Sequence, residues 1–95
     1  MWVRSQTKHR LCNVDYFRVC YEDDNDYCIY CSTPGSDEMM ILGRYSTEEK
    51  ALEVLDMIQE CLCTRIYELD LNGSITRDIY KADMEVFQIP QDDEV

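Results

Sequence analysis

Residues 45–63 constrain the fold of this chain more than any other segment, because they predict an amphipathic helix. Ser46 and Glu49 have the S-x-x-E spacing of a capping box, which starts a helix. The apolar residues that follow recur at helical spacing and form one stripe: Ala51, Val54, Leu55, Ile58, Cys61 and Leu62. The stripe predicts a helix with one side packed against a core.

The opposite side of the predicted helix is acidic. Its carboxylates are Glu49, Glu53, Asp56 and Glu60. At about 100° per residue, they fall within a sector of roughly 60°. Like charges four residues apart destabilise a helix by about 0.2–0.5 kcal/mol per pair, so the stripe does not serve helix stability. We predict a contact surface for a protein partner, although the solvated side of an acidic protein has the same pattern.

Short runs rich in β-branched and aromatic residues predict strands before the helix. They cover residues 2–6, 11–21, 27–32 and 39–44, and the second run is expected to bend near residues 13–15. Polar turn residues separate the runs at 22–26 and 33–36. This order predicts an antiparallel meander with the helix packed across it.

The end of the helix has two readings. Ile66 and Leu69 continue the apolar spacing, so the helix either runs to Leu69 and stops before Gly73 or breaks near Cys63. Residues 74–82 then predict a short second helix.

Together these elements predict an α+β fold, with a small antiparallel sheet of four to five strands and one main amphipathic helix. The last strand is expected over residues 84–89, before Pro90. Residues 1–90 are predicted to form a single domain, since a chain of this length has room for one core. The acidic residues 91–95 are predicted to be a disordered tail.

The sequence has no apolar run of about 18 residues and no apolar segment near its start, so we expect a cytoplasmic protein without a membrane span. The six cysteines are then expected to be reduced. Cys28 and Cys31 have the spacing of half a zinc site, but residues i and i+3 of a strand point to opposite faces. We therefore predict free thiols, with no bound metal and no cofactor.

The net charge of −11 is unevenly distributed along the chain. The first twenty residues contain four bases and one acid, whereas the rest contain five bases and nineteen acids. This acidity argues against direct nucleic-acid binding, which needs clustered Lys and Arg. It favours a partner protein with a basic surface. Only the N-terminal region could dock an anion.

A ligand site is a second hypothesis. Trp2, Arg4 and Gln6 alternate on one side of the first predicted strand, and Arg44 is expected nearby. An aromatic ring, guanidinium groups and an amide suit an anionic or planar ligand. Such residues also pair with neighbouring strands, so both interpretations stay open for these four.

No arrangement of residues predicts catalysis. His9, the only histidine, lies between Lys8 and Arg10 as in an exposed loop. No serine has the G-x-S-x-G context, and the three glycines are too far apart for a phosphate-binding loop. We therefore expect a protein that is not an enzyme.

Three blocks of the sequence resemble a family of short uncharacterised proteins that phages, prophages and conjugative elements of Gram-positive bacteria encode. The blocks are MWVRSQTK at residues 1–8, ILGRYSTEEKALEVLDMIQ at 41–59 and VFQIP at 86–90. Thr7 departs from the family pattern, which often has Asp there. The resemblance implies a genomic setting but no activity.

The sequence-based hypothesis is a small acidic binding protein of a mobile element that inhibits a host protein, such as a defence protein, through its acidic surface. Two alternatives stay open. One is a sponge that sequesters a nucleotide or another small molecule. The other is a structural accessory protein that forms homo-oligomers through strand edges or apolar helix surface.

Overall fold

The computed structural model describes all 95 residues and has an α+β fold, as predicted. Its strands are β1 (Trp2–Arg4), β2 (Leu11–Asn13), β3 (Tyr16–Asp23), β4 (Asp26–Ser32), β5 (Met40–Tyr45), β6 (Arg65–Leu69), β7 (Ile75–Tyr80) and β8 (Phe87–Gln88). Its helices are α1 (Glu48–Cys63) and the single-turn α2 (Lys81–Met84), and a 3-10 turn covers Asp92–Glu94. Neither α-helix is long and apolar enough to cross a membrane.

The strands form three small sheets, where the sequence predicted one. Strands β3, β4 and β5 make an antiparallel sheet, β1 lies between β2 and β8 in a second sheet, and β6 pairs with β7. The predicted bend is present and separates β2 from β3, because Val14 turns into the core and donates its N–H to the carbonyl of Met1. Within the second sheet, β1 and β8 are parallel, with Val3 opposite Phe87.

The hydrophobic core lies between α1 and the two three-stranded sheets. Helix α1 packs across β3, β4 and β5. The buried cluster consists of Val3, Val14, Ile29, Cys31, Leu42, Tyr45, Ala51, Val54, Ile58 and Ile89. Full burial of a Val or Ile side chain contributes about 1.5–3 kcal/mol. This cluster therefore dominates the stability of α1 and the two three-stranded sheets, which we call the body.

Helix α1 begins differently from the predicted capping box. Thr47 is the N-cap, and its hydroxyl accepts a hydrogen bond from the Lys50 N–H at 3.2 Å. Ser46 instead donates its N–H to the carboxylate of Asp92 at 2.8 Å. The prediction of a capping box formed by Ser46 and Glu49 is therefore wrong, because the carboxylate of Asp92 accepts the hydrogen bonds that Ser46 donates.

The segment after α1 folds as a hairpin. Helix α1 ends at Cys63, the earlier of its two predicted ends, and β6 begins at Arg65. Leu62, in the last turn, is 42 % exposed and is not part of the core stripe. Residues 75–80, predicted to lie in a second helix, form β7 because their β-branched residues pair across β6.

The last five residues, predicted to be a disordered tail, include the 3-10 turn and contact the rest of the chain. Gln91 donates its side-chain amide to the carbonyl of Gln6 at 2.6 Å. Asp92 accepts the N–H and hydroxyl of Ser46, and Val95 packs against the core cluster. The polar side chains of this segment find specific partners that composition alone does not reveal.

The β6–β7 hairpin extends away from this body. All of β6 is exposed, and Ile79 is the one residue of β7 that is partly buried. The radius of gyration is 15.6 Å, whereas a compact domain of this length has about 12 Å. The hairpin accounts for an elongated molecule, 56 Å in its longest dimension.

Candidate functional site

The first candidate surface is the acidic face of α1, formed by Glu49, Glu53, Asp56 and Glu60. All four residues are exposed, on the side of the helix opposite the buried Ala51, Val54 and Ile58. None of the four takes part in an ion pair or a side-chain hydrogen bond. The helix therefore presents four uncompensated carboxylates to solvent.

Exposed apolar side chains flank the acidic face on both sides. Leu52 is 43 % exposed and Met57 is 41 % exposed. At about 100° per residue, Leu52 lies on one flank of the carboxylates and Met57 on the other. The surface thus combines charges with apolar groups that a partner could bury.

The four ligand-binding candidates do not meet in one place. Trp2 and Arg4 share the exposed face of β1, on either side of buried Val3. The amide of Gln6 is fully engaged within the chain: it accepts the Arg44 N–H at 2.9 Å and donates to two carbonyls. The Arg44 guanidinium pairs with Asp26 at 2.5 Å. The structure therefore brings the four together only as two separate pairs, Trp2 with Arg4 on β1 and Gln6 with Arg44 through hydrogen bonds.

The second candidate surface contains most of the basic residues that form no ion pair. Five of the nine Lys and Arg residues form ion pairs: Arg44, Lys50, Arg65, Arg77 and Lys81. The other four are Arg4, Lys8, Arg10 and Arg18. Three of these belong to the β1–β2 hairpin, and we name Arg4, Lys8, His9 and Arg10 the basic hairpin.

The turn of the basic hairpin is held by hydrogen bonds within it. Lys8 is the only non-glycine residue with a positive φ, 68°, a conformation that costs roughly 1–2 kcal/mol. The Lys8 N–H donates to the carbonyl of Ser5 at 2.9 Å, and the Arg4 Nε donates to the carbonyl of Lys8 at 3.1 Å. The buried Ser5 hydroxyl accepts the Arg10 N–H at 3.2 Å. These bonds fix the backbone that carries the three bases.

Two grooves flank the basic hairpin. The groove towards β5 has a volume of about 660 Å³, and the groove towards β8 has about 460 Å³. His9 and Arg10 line both, and no Asp or Glu lines either groove, although the chain contains 20 such residues. Sequence reasoning missed Lys8, His9 and Arg10 as site residues. The excess of bases in the first twenty residues was the only indication of them.

All six cysteines are unpaired in the structure. Burial raises the pKa of Cys28 and of Cys31 to about 11, so both thiols are protonated at neutral pH. Cys31 belongs to the core cluster, whereas the sulfur of Cys28 lies 3.5 Å from Asp26 Oδ1 and Arg44 Nη1. No cluster of three or more His, Cys, Asp or Glu residues is arranged to hold a metal ion.

No family model, curated protein or solved structure matches this chain. Function is therefore inferred from its own surfaces. The acidic face of α1 and the basic hairpin carry opposite charges that no internal ion pair neutralises.

Proposed function

We propose that this chain is a non-enzymatic binding protein that contacts a basic surface of another protein through the acidic face of α1. One observation supports this proposal above the others: the four carboxylates are exposed on one helix face without any ion pair. The chain has cations that pair with acids elsewhere, but none with these.

A rigid helix is a suitable scaffold for such a contact. The helix sets the backbone positions of the four residues, so a complementary array of Lys and Arg meets them without reordering the backbone. Opposite potentials accelerate the encounter and select against acidic partners. Leu52 and Met57 then supply apolar area at the edge of the contact.

In the mobile-element setting that the sequence resemblance implies, the partner is a host protein whose nucleic-acid-binding surface is covered. Such surfaces present the clustered Lys and Arg that phosphates require, and an acidic helix competes for the same groups. Binding would thereby inhibit the host protein without any chemical step.

Charge reversal tests this proposal. The face variant carries lysine at Glu49, Glu53, Asp56 and Glu60. The matched control carries lysine at four exposed acids outside the face: Asp37, Glu38, Asp83 and Asp93. Both variants change the net charge equally, so a difference between them reports the location of the charges.

Partners are captured from bacterial lysate with the tagged wild-type chain, and the purified partner is then titrated with all three proteins. We expect the face variant to bind at least about tenfold more weakly and the control to retain most of the affinity. An equal loss of affinity in both variants would show that the partner responds to the overall negative charge and not to the acidic face in particular. Undiminished binding by the face variant would contradict the proposal.

A further inference from the structure

The groove between the basic hairpin and β8 has the composition of an anion site. Its basic lining residues are Arg4, Lys8, His9 and Arg10, accompanied by Leu11, Val86 and Gln88. In a chain with a net charge of −11, bases would be expected to find internal carboxylates. Here Arg4, Lys8 and Arg10 line one groove, and none of them forms an ion pair.

The positions of Arg4 and Lys8 suit a phosphate group. The hydrogen bond from Arg4 Nε to the Lys8 carbonyl orients the guanidinium and leaves its two terminal nitrogens without a partner in the chain. Such a planar fork binds two phosphate oxygens at once, and a lysine ammonium adds a point charge. The left-handed Lys8 backbone, held by Ser5, carries that ammonium on the turn.

The neighbouring groove offers a place for the organic part of a ligand. It contains Trp2, which is 50 % exposed, and it meets the basic groove at Val86, a residue that lines both. Asp83 and Glu85 line this neighbouring groove. A phosphate is therefore favoured at the Arg4 end and disfavoured at the Trp2 end, which fixes the orientation of the ligand.

We propose that the basic hairpin binds the phosphate of a small phosphorylated molecule, whose organic part packs on Trp2 and Val86. The site lies on the β2–β1–β8 sheet and uses no residue of the acidic face of α1. It is therefore independent of the proposed protein contact.

Calorimetric titration of the full chain with three probes tests the site at low ionic strength. The probes are AMP, which carries a phosphate and a nucleoside, inorganic phosphate, which lacks the nucleoside, and adenosine, which lacks the phosphate. We expect AMP to bind most tightly, phosphate more weakly and adenosine at least about tenfold more weakly than AMP. Trp2→Ala should lower the affinity for AMP but leave the affinity for inorganic phosphate unchanged.

The matched variants separate this groove from the general field of the protein. Arg4→Gln with Lys8→Asn removes two groove charges, and Asn is chosen because it tolerates a positive φ. Arg18→Gln removes another unpaired arginine, outside the groove. We expect the double variant to lose at least about tenfold in AMP affinity and Arg18→Gln to lose less than about twofold. If circular dichroism shows that the double variant does not fold, Lys8→Asn alone replaces it, with an expected loss of at least about threefold.

Three results would overturn the proposal. The first is no binding of AMP or phosphate at about 10 mM, well above a Kd of about 1 mM. The second is equal affinity for AMP and adenosine, which would make the phosphate irrelevant. The third is an equal loss in Arg18→Gln and the groove variant.

Discussion

Two regions of the molecule are stabilised in opposite ways. One is the junction, where β1, β5 and the last residues of the chain meet, and the other is the β6–β7 hairpin. In the junction, buried side chains from distant segments interlock: Tyr45 donates its hydroxyl to the Pro90 carbonyl at 2.7 Å, and Ile89 is fully buried. The hairpin has no buried residue and is held by its own cross-strand contacts, including the pairing of Arg65 with Asp78.

This difference distinguishes a region that stabilises the whole fold from one that can open without unfolding the rest. The junction draws on β1, β5 and the last residues of the chain, so each segment requires the other two. An isolated two-stranded hairpin is marginally stable in water. We therefore expect the hairpin to open locally at a much lower free energy than the junction, which opens only when the whole body unfolds.

The sharpest test makes the same substitution in both regions. Ile89→Ala removes a side chain that is 0 % exposed, and we expect it to lower the free energy of unfolding by about 2–5 kcal/mol. Ile75→Ala, at a position 60 % exposed in the hairpin, should change it by less than about 0.5 kcal/mol. Urea denaturation measures both. Similar losses would mean that the hairpin is packed in solution.

A glycine in the junction tests how tightly it is packed. A Cβ added at Gly43 would lie 2.9 Å from Cγ2 of Ile89, so Gly43→Ala should cost about 1–3 kcal/mol. Ile89→Ala removes that methyl group, so adding Gly43→Ala to the Ile89→Ala variant should cost clearly less. Strict additivity of the two substitutions in a double-mutant cycle would show that these atoms do not collide.

A polar link in the junction should contribute less than its packing. Gln6→Ala removes an amide that bonds the N–H and carbonyl of Arg44 and the carbonyl of Pro90. We expect a loss of about 1–2 kcal/mol in urea denaturation, because water replaces part of these bonds and the Tyr45 hydroxyl still donates to the Pro90 carbonyl. Gln59→Ala, on the exposed side of α1, is the control and should be nearly neutral. A Gln6→Ala variant with the same free energy of unfolding as wild type would show that the amide does not stabilise this junction.

The smallest effect concerns the end of the junction and depends on pH. Hydrogen bonds from Ser46, with Lys50 nearby, lower the pKa of Asp92 from its ordinary 3.8. Folding therefore favours the charged form, and its contribution is present above pH 3.8 and lost as the pH falls through the lowered pKa. Asp92→Asn should be less stable than wild type at neutral pH, and the difference should shrink on acidification.

Thermal unfolding across this pH range measures the effect. Asp93→Asn changes the adjacent exposed carboxylate, which forms no ion pair or hydrogen bond, and serves as the control. A difference between wild type and Asp92→Asn that does not vary with pH would show that the Asp92 charge makes no contribution.

The local part of the fold could be predicted from the sequence, whereas its long-range pairings could not. Hydrophobic spacing correctly predicted the position and buried side of α1, and turn residues separated the strands. The three sheets follow from contacts such as Val3 with Phe87, which no local pattern encodes. Residues 75–80 have mixed propensity, and pairing with β6 decided for a strand.

The same division applies to the candidate surfaces. Periodicity alone places the four carboxylates on one helix face, because they belong to a single element. The basic hairpin depends on which cations remain unpaired, and pairs such as Arg44 with Asp26 join different strands. Gln6 illustrates the limit: strand alternation puts it beside Arg4, but its amide is engaged by Arg44 and Pro90.

The parallel pairing of β1 with β8 also determines when this protein can fold on a ribosome. Strand β1 ends at Arg4, and its partner is complete only at Gln88, about 80 residues later in the chain. At roughly 5–20 residues per second, β1 waits about 4–18 s with one hydrogen-bonding edge open. The β2–β1–β8 sheet is thus completed only after residue 88 has been synthesised, and a nascent chain arrested before that residue has an incomplete sheet that chaperones and proteases can recognise.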